Sequence, residues 1–301
     1  DAKREFAAAV KSFEAAAAEG HSDAEVYEGL AEAWVQQIEM AVATLLPTDE
    51  AYAAAVAASD KITVAEPGSI SGSLKKAYAA EQSLQVITFG PSASERVQRC
   101  LSAAQEVLAK QPGHPYASDA ASNCYILASE MAQQQGKDPS PFFRNSLQLL
   151  EPAIAKYPYF LWGINDLGNA FSNLGKYHQI HGDQKSVEML QKSLRYHAET
   201  ALLDRSYINS CLNSLTVTSA LVCECRSEED LIARLSSADR YFLDCTLINS
   251  KDQRCFNNYF QIYARAAYRT FLSGRDAQPR VQRALQHLAL TRQLCQKLQD
   301  A

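Results

Sequence analysis

Residues 165–177 read NDLGNAFSNLGKY. An apolar residue followed at once by glycine, with an aromatic three positions on, is the pattern of a helix packed closely on a neighbour. Residues three and four apart share one helical face. The same spacing recurs along the chain if position and size are compared rather than identity. Six stretches align: Tyr27–x–x–Leu30–Ala31–x–x–Trp34, Ser71–x–x–Leu74–Lys75–x–x–Tyr78, Ser118–x–x–Ala121–Ser122–x–x–Tyr125, Ile164–x–x–Leu167–Gly168–x–x–Phe171, Ile208–x–x–Cys211–Leu212–x–x–Leu215 and Gln253–x–x–Phe256–Asn257–x–x–Phe260. Their last members lie 44, 47, 46, 44 and 45 residues apart. Six copies at a near-constant offset define a repeated unit.

Each copy is followed by a second amphipathic helical pattern. Breakers punctuate the chain about every 20 residues, among them EGHSD (19–23), FGPSAS (89–94), KQPGHP (110–115), HGD (181–183) and SGRDAQP (273–279). This predicts about thirteen helices and almost no strand. Units start near 23, 69, 115, 159, 205 and 251, and residues 1–22 form the second helix of a truncated preceding unit. Ser92 with Glu95 reads as a capping box, and Ser227 before Glu228, Glu229 and Asp230 as a helix start. Pro152, inside LQLLEPAIAKY, predicts a kinked or split helix. A lone helix pair cannot bury its own apolar stripe, whereas stacked pairs bury it continuously. The expected fold is therefore one all-α domain over 1–301, a right-handed α-α superhelix of about six helix pairs. The small residue at Ala31, Ser122 or Gly168 lets the paired helix approach, and the aromatics Trp34, Tyr78, Tyr125, Phe171 and Phe260 read as core. Trp162 and Tyr159, in PYFLWG, read as a staple or an exposed anchor.

The 301 residues are 47% hydrophobic and 21% charged, with a net charge of −5. That balance argues against a nucleic-acid partner. Residues 1–150 hold 11 Lys and Arg against 19 Asp and Glu, and residues 151–301 hold 18 against 15. No apolar run approaches the roughly 18 residues of a membrane span. The first residues, DAKREFAAAVKSF, carry no signal-peptide pattern and begin inside a helix, as in a piece cut from a longer chain. The eight cysteines sit within helical patterns such as SNCYILA and FLDCTLI, which predicts free, buried thiols and a reducing cytoplasm.

The first-helix pattern resembles that of tetratricopeptide repeats, W-x-x-L-G-x-x-Y, at Ile164, Leu167, Gly168 and Phe171 with Gly175. EVYEGLAEAWVQQ (25–37) also resembles repeat arrays appended to bacterial signalling proteins, including serine/threonine kinases. Here the period is near 45 rather than 34, which requires longer helices, and two copies replace the small residue with Leu212 and Asn257. The resemblance implies a protein–protein interaction module that binds a peptide or partner on its concave face. A ligand-sensing domain that holds a small molecule inside the superhelix is the alternative, and a spacer a third.

Asparagine is a mediocre helix former, yet Asn165, Asn169 and Asn173 share one face, as do Asn209 and Asn213. Asn123, Asn169, Asn213 and Asn258 occupy one register position, which in the resembled family contacts peptide. Carboxamides donate and accept at once, which suits an extended backbone. Arg205 and Arg254 lie near the same column and suit an acidic group. These nine residues are the predicted binding set. The competing reading is that the amides tie adjacent helices together. His178 and His181 share a face without a third metal ligand, and Cys223–Glu224–Cys225 lacks the CxxC spacing. The residues 71–73, SGS, lack the lysine of a phosphate loop, and neither a nucleophile elbow nor a kinase motif occurs. The expectation is no enzyme, no metal and no cofactor.

Overall fold

A computed structural model describes residues 2–20, 23–44, 46–85 and 90–299. His21, Ser22 and Phe89, which fall in two predicted breakers, lie outside them. Among the described residues every regular element is helical: α1 (Ala2–Glu19), α2 (Ala24–Ala43), α3 (Asp49–Ala65), α4 (Ser71–Ser83), α5 (Pro91–Lys110), α6 (Pro115–Gln134), α7 (Ser140–Lys156), α8 (Leu161–Ile180), α9 (Lys185–Leu203), α10 (Ile208–Glu224), α11 (Glu228–Ile248), α12 (Gln253–Leu272) and α13 (Gln278–Gln299). The aligned stretches fall on α2, α4, α6, α8, α10 and α12, each starting within three residues of its predicted position. Among the described residues the chain is an all-α array of helix pairs. Most of its helices run 17 to 22 residues, the added length that a period near 45 demands. Contacts gather into two compact units, Asp1–Gly163 and Ile164–Ala301, so the array predicted over 1–301 is described unit by unit.

The period is written most plainly in the turns. The N–H of Glu66, Gln111, Tyr157, Asp204 and Asn249 each donates to the carbonyl four residues back, closing a second helix. The carbonyl of each of these five then accepts from the N–H three residues on, which opens the next first helix. They are 45, 46, 47 and 45 residues apart. Three first helices also end alike, on Gly136, Gly182 and Gly274, with φ of 67°, 68° and 72°. After each glycine the next N–H reaches back to the carbonyl five residues behind (Lys137 to Ala132, Asp183 to His178, Arg275 to Thr270). This left-handed stop favours glycine because it has no Cβ to clash.

In the first unit Ile38, Ala55, Ala77, Leu84, Val97 and Ala104 form a buried cluster joining α2 to α5. Arg96 of α5, only 6% exposed, donates to Thr48 Oγ1 (3.1 Å), ion-pairs with Asp49 and lies 4.5 Å over the Tyr52 ring. A buried guanidinium needs such partners to offset its lost hydration. In the second unit Leu215, Leu231, Tyr259, Ile262 and Ala266 join α10, α11 and α12.

Three expectations change and one holds. Helix α5 starts at Pro91 behind Gly90 (φ 90°), so Ser92 lies inside it rather than capping it. Ser227 does cap α11, accepting from the Asp230 N–H at 3.1 Å. Helix α7 runs through Pro152 to Lys156 unsplit, giving up one hydrogen bond while its buried face (Phe143, Leu150, Ala153) stays packed. Of the aromatic column only Phe171 is buried, stacked on Tyr196 at 5.6 Å. Trp34, Tyr78, Tyr125 and Phe260 are half-buried.

The largest correction concerns the cysteines. Cys100 is bonded to Cys124, joining α5 to α6, and Cys245 to Cys255, joining α11 to α12. The Cα atoms are 6.5 and 6.1 Å apart, within the span a disulfide bridges, and all four residues are fully buried. Helical spacing marks these residues as apolar positions. It does not reveal that positions 24 or 10 residues apart face each other across a turn. Cys211, Cys223, Cys225 and Cys295 are free. With two disulfides the argument from free thiols to a reducing cytoplasm is removed, since such bonds persist where conditions are oxidising. Among the described residues no helix is long and apolar enough to cross a membrane.

Candidate functional site

The first helices of each unit are joined by side-chain hydrogen bonds between residues one repeat apart, and most of the predicted asparagines are spent there. Asn123 of α6 donates to Glu81 Oε1 of α4 at 3.1 Å. Asn213 of α10 donates to Asn165 Oδ1 of α8 at 3.0 Å, and Asn258 of α12 donates to Thr216 Oγ1 and the Leu212 carbonyl of α10. Asn165 and Asn169 both donate to Asp166 Oδ1 at 3.1 Å within α8. Asn165 is 4% exposed. Asn209 donates to the Tyr207 hydroxyl at 3.3 Å, and Asn173 is half-buried. The tie between helices is thus the better account of Asn123, Asn165 and Asn213. Truncating Asn213→Ala strands the buried Asn165 oxygen and is expected to cost about 1–3 kcal/mol. Urea unfolding checks this, and a midpoint within error of the parent would refute the tie.

The two arginines of the predicted set do not join the column. Arg205 is exposed in the turn before α10. Arg254 forks onto Asp252, its own helix cap, with Nη2–Oδ2 2.6 Å and Nε–Oδ1 3.0 Å. Burial raises the Asp252 pKa, but the Arg254 fork outweighs it and the carboxyl is held below its usual range. The histidines also tie off a helix end: His178 Nδ1 is 3.0 Å from Asp183 Oδ2, and His181 Nδ1 is 2.8 Å from the Tyr177 carbonyl.

In the second unit a pocket of about 410 Å³ opens on the first helices. It is lined by Lys176, Gln179 and Ile180 of α8, by Thr216, Ser219 and Ala220 of α10, and by Asn258, Gln261 and Arg265 of α12. Of the predicted set only Asn258 is there. Gln179 spans α8 to α10, donating to the Ala220 carbonyl (3.0 Å) and Glu224 Oε1 (2.7 Å). Arg265 Nη1 donates to the Ser219 carbonyl at 3.2 Å. A signal for these residues was present in the repeat. Five positions after each aligned aromatic position stand Glu39, Ser83, Glu130, Lys176, Ala220 and Arg265. Acidic residues in the early copies give way to basic ones in the later copies.

Behind this face the small residue of the repeat has a specific task. A Cβ on Gly168 would lie 2.6 Å from His197 Cε1 of α9, so the glycine admits a fully buried imidazole. Among the described residues neither ring nitrogen of His197 has a hydrogen-bond partner, nor does the buried Ser193 hydroxyl one turn before it. Burial, with the positive charge of Lys176 acting in the same sense, pushes the His197 pKa down to about 3.

Fold and pocket together define a helical-repeat protein with a polar, cationic recess on the first helices of its second unit. Neither a family model nor a curated protein matches the chain. Among solved structures it is similar to the human IFIT1 dimer with m7Gppp-AAAA, at 12% identity and a TM-score of 0.49, covering 94% of this chain and 68% of that one. A monomeric mutant of IFIT1 with Gppp-AAAA aligns at 11% identity and a TM-score of 0.47, covering 93% and 67%.

Proposed function

We propose that the chain is a protein–protein interaction module that takes an extended segment of a partner across the first helices of its second unit. The supporting observation is the recess itself, whose polar lining comes from three successive first helices. A segment crossing them meets a new set of side chains about every 45 residues of sequence. Gln261 offers a carboxamide able to bond both halves of a peptide unit, while Gln179 and Asn258, whose amide N–H groups donate to α10, offer their side-chain oxygens as acceptors. On this reading Asn258 keeps its predicted role, and Asn165 and Asn213 hold the frame on which it stands. The setting in a signalling protein, such as a bacterial serine/threonine kinase, rests on the resemblance of residues 25–37 alone, and the full open reading frame tests it.

A volume of about 410 Å³ also falls in the range of small-molecule clefts, which favours a regulatory domain as the second reading. Panning a displayed peptide library on the folded chain tests the first. Enriched peptides should lose at least tenfold in affinity on Asn258→Ala with Gln261→Ala, at unchanged helicity. If no sequence is enriched, or if the enriched peptides ignore both substitutions, the groove does not bind peptide. Saturable thermal stabilisation by a metabolite fraction would then favour the second reading.

A further inference from the structure

Helix α10 carries five hydroxyl side chains, and four return to a carbonyl three or four residues back. Ser210 donates to Tyr207, Ser214 to Ser210, Thr216 to Leu212 and Thr218 to Ser214, at 2.7 to 3.0 Å. Ser219 breaks this habit. It is 4% exposed, its buried hydroxyl has no hydrogen-bond partner among the described residues, and it lines the recess. Buried hydroxyls are ordinarily bonded, so this one is a donor still to be used.

The charge of the recess points the same way. Its nine lining residues include Lys176 and Arg265 and no carboxylate, a formal +2 in a chain whose net charge is −5. Glu224 is not among the lining residues, but its carboxylate takes the Gln179 amide at 2.7 Å. The Arg265 guanidinium is fixed over Ser219 by its bond to the Ser219 carbonyl, with Cys223 Sγ at 3.8 Å, both through Nη1. Its Nε and Nη2 carry the remaining donors of the fork. The amide N–H groups of Gln179 and Asn258 are already spent on α10. With the Lys176 charge beside them, the remaining Arg265 donors, the Ser219 hydroxyl and the Gln261 amide still supply more donors than the two oxygens of a carboxylate accept. A phosphoryl group has three acceptor oxygens and a charge of about −2 near neutral pH.

We propose that this recess binds a phosphoryl dianion presented by a phosphorylated side chain of the partner segment. Lys176 and Arg265 neutralise the charge, and the Ser219 hydroxyl and the Gln261 amide complete the oxygens. The inference rests on the proposed function, because it places the phosphoryl group on a segment lying across the first helices.

Calorimetric titration of the intact chain tests it, with N-acetyl-O-phosphoserine amide, inorganic phosphate and N-acetylglutamate amide as probes at ionic strength held constant with sodium chloride. The phosphoserine probe should bind saturably and at least tenfold more tightly than the glutamate probe. Arg265→Gln and Lys176→Gln should each weaken it tenfold or more, and Ser219→Ala by a smaller factor, at unchanged helicity. Equal binding of the glutamate probe, or binding retained in Arg265→Gln, would overturn the proposal. Inorganic phosphate binding as tightly as the phosphoserine probe would overturn its assignment to a partner segment and leave a site for the free ion. Enriched peptides that bind unphosphorylated and gain nothing from phosphoserine would overturn this inference alone, leaving the peptide groove intact.

Discussion

Reduction of the two disulfides is expected to destabilise the protein by about 3 kcal/mol per bond, the value of the loop-closure entropy each removes from the unfolded chain. The loops span 24 and 10 residues. Because Cys100–Cys124 lies in the first unit and Cys245–Cys255 in the second, each unit loses one staple. For units of this size the melting temperature should fall by about 6–12 °C per bond. The double substitutions Cys100→Ser with Cys124→Ser, and Cys245→Ser with Cys255→Ser, should reproduce the two losses separately. Thiol titration in denaturant gives the direct check. The oxidised chain should expose four thiols and the reduced chain eight, and eight thiols before reduction would show that the bonds do not form.

Acid should act on the second unit through His197. Its imidazole titrates near 6.5 in the unfolded chain, whereas burial holds the folded pKa down to about 3. Between those values the unfolded state binds the extra proton, so stability falls as pH falls through that window and is insensitive to this group above it. The loss should be about 2 kcal/mol between pH 6.5 and 4.5, at 1.36 kcal/mol per pKa unit. His197→Leu removes both the proton and the two unpartnered ring nitrogens. It should flatten the profile across the window without lowering stability at neutral pH by more than a well-packed core exchange does. Chemical denaturation at a series of pH values tests this, and a variant that keeps the slope of the parent would absolve His197.

The repeat was legible in the sequence because packing constrains it directly. Gly168 has to be small against His197, and Leu167 and Ile164 have to be apolar at 1% and 0% exposure. The turns were legible as breakers, KQPGHP (110–115) among them, but the identical backbone bonds that repeat in them were not. Glu66, Gln111, Tyr157, Asp204 and Asn249 make identical backbone bonds, and a bond from N–H and C=O leaves the side chain unconstrained. The asparagine column was visible, but its use was not. A carboxamide on a helix face looks the same whether its partner is a peptide or the oxygen of Asn165, and only the separation of successive first helices decides between them. The basic pair Lys176 and Arg265 was also there to be seen, as a change of charge sign along one register position.

Both tryptophans of the chain, Trp34 and Trp162, fall within the first compact unit. Trp162 is 48% exposed, tilted against Tyr116 at 5.9 Å and edge to ring with Phe160 at 6.0 Å, while Trp34 is half-buried with Phe6 6.5 Å away. Trp34 therefore reports on α2, while Trp162, near the start of α8, also senses the loss of that helix. Helices α9 to α13, with the buried imidazole and the Cys245–Cys255 staple, carry no indole. A single fluorescence transition on this protein would miss their melting, and tyrosine absorbance or amide exchange is needed to see it.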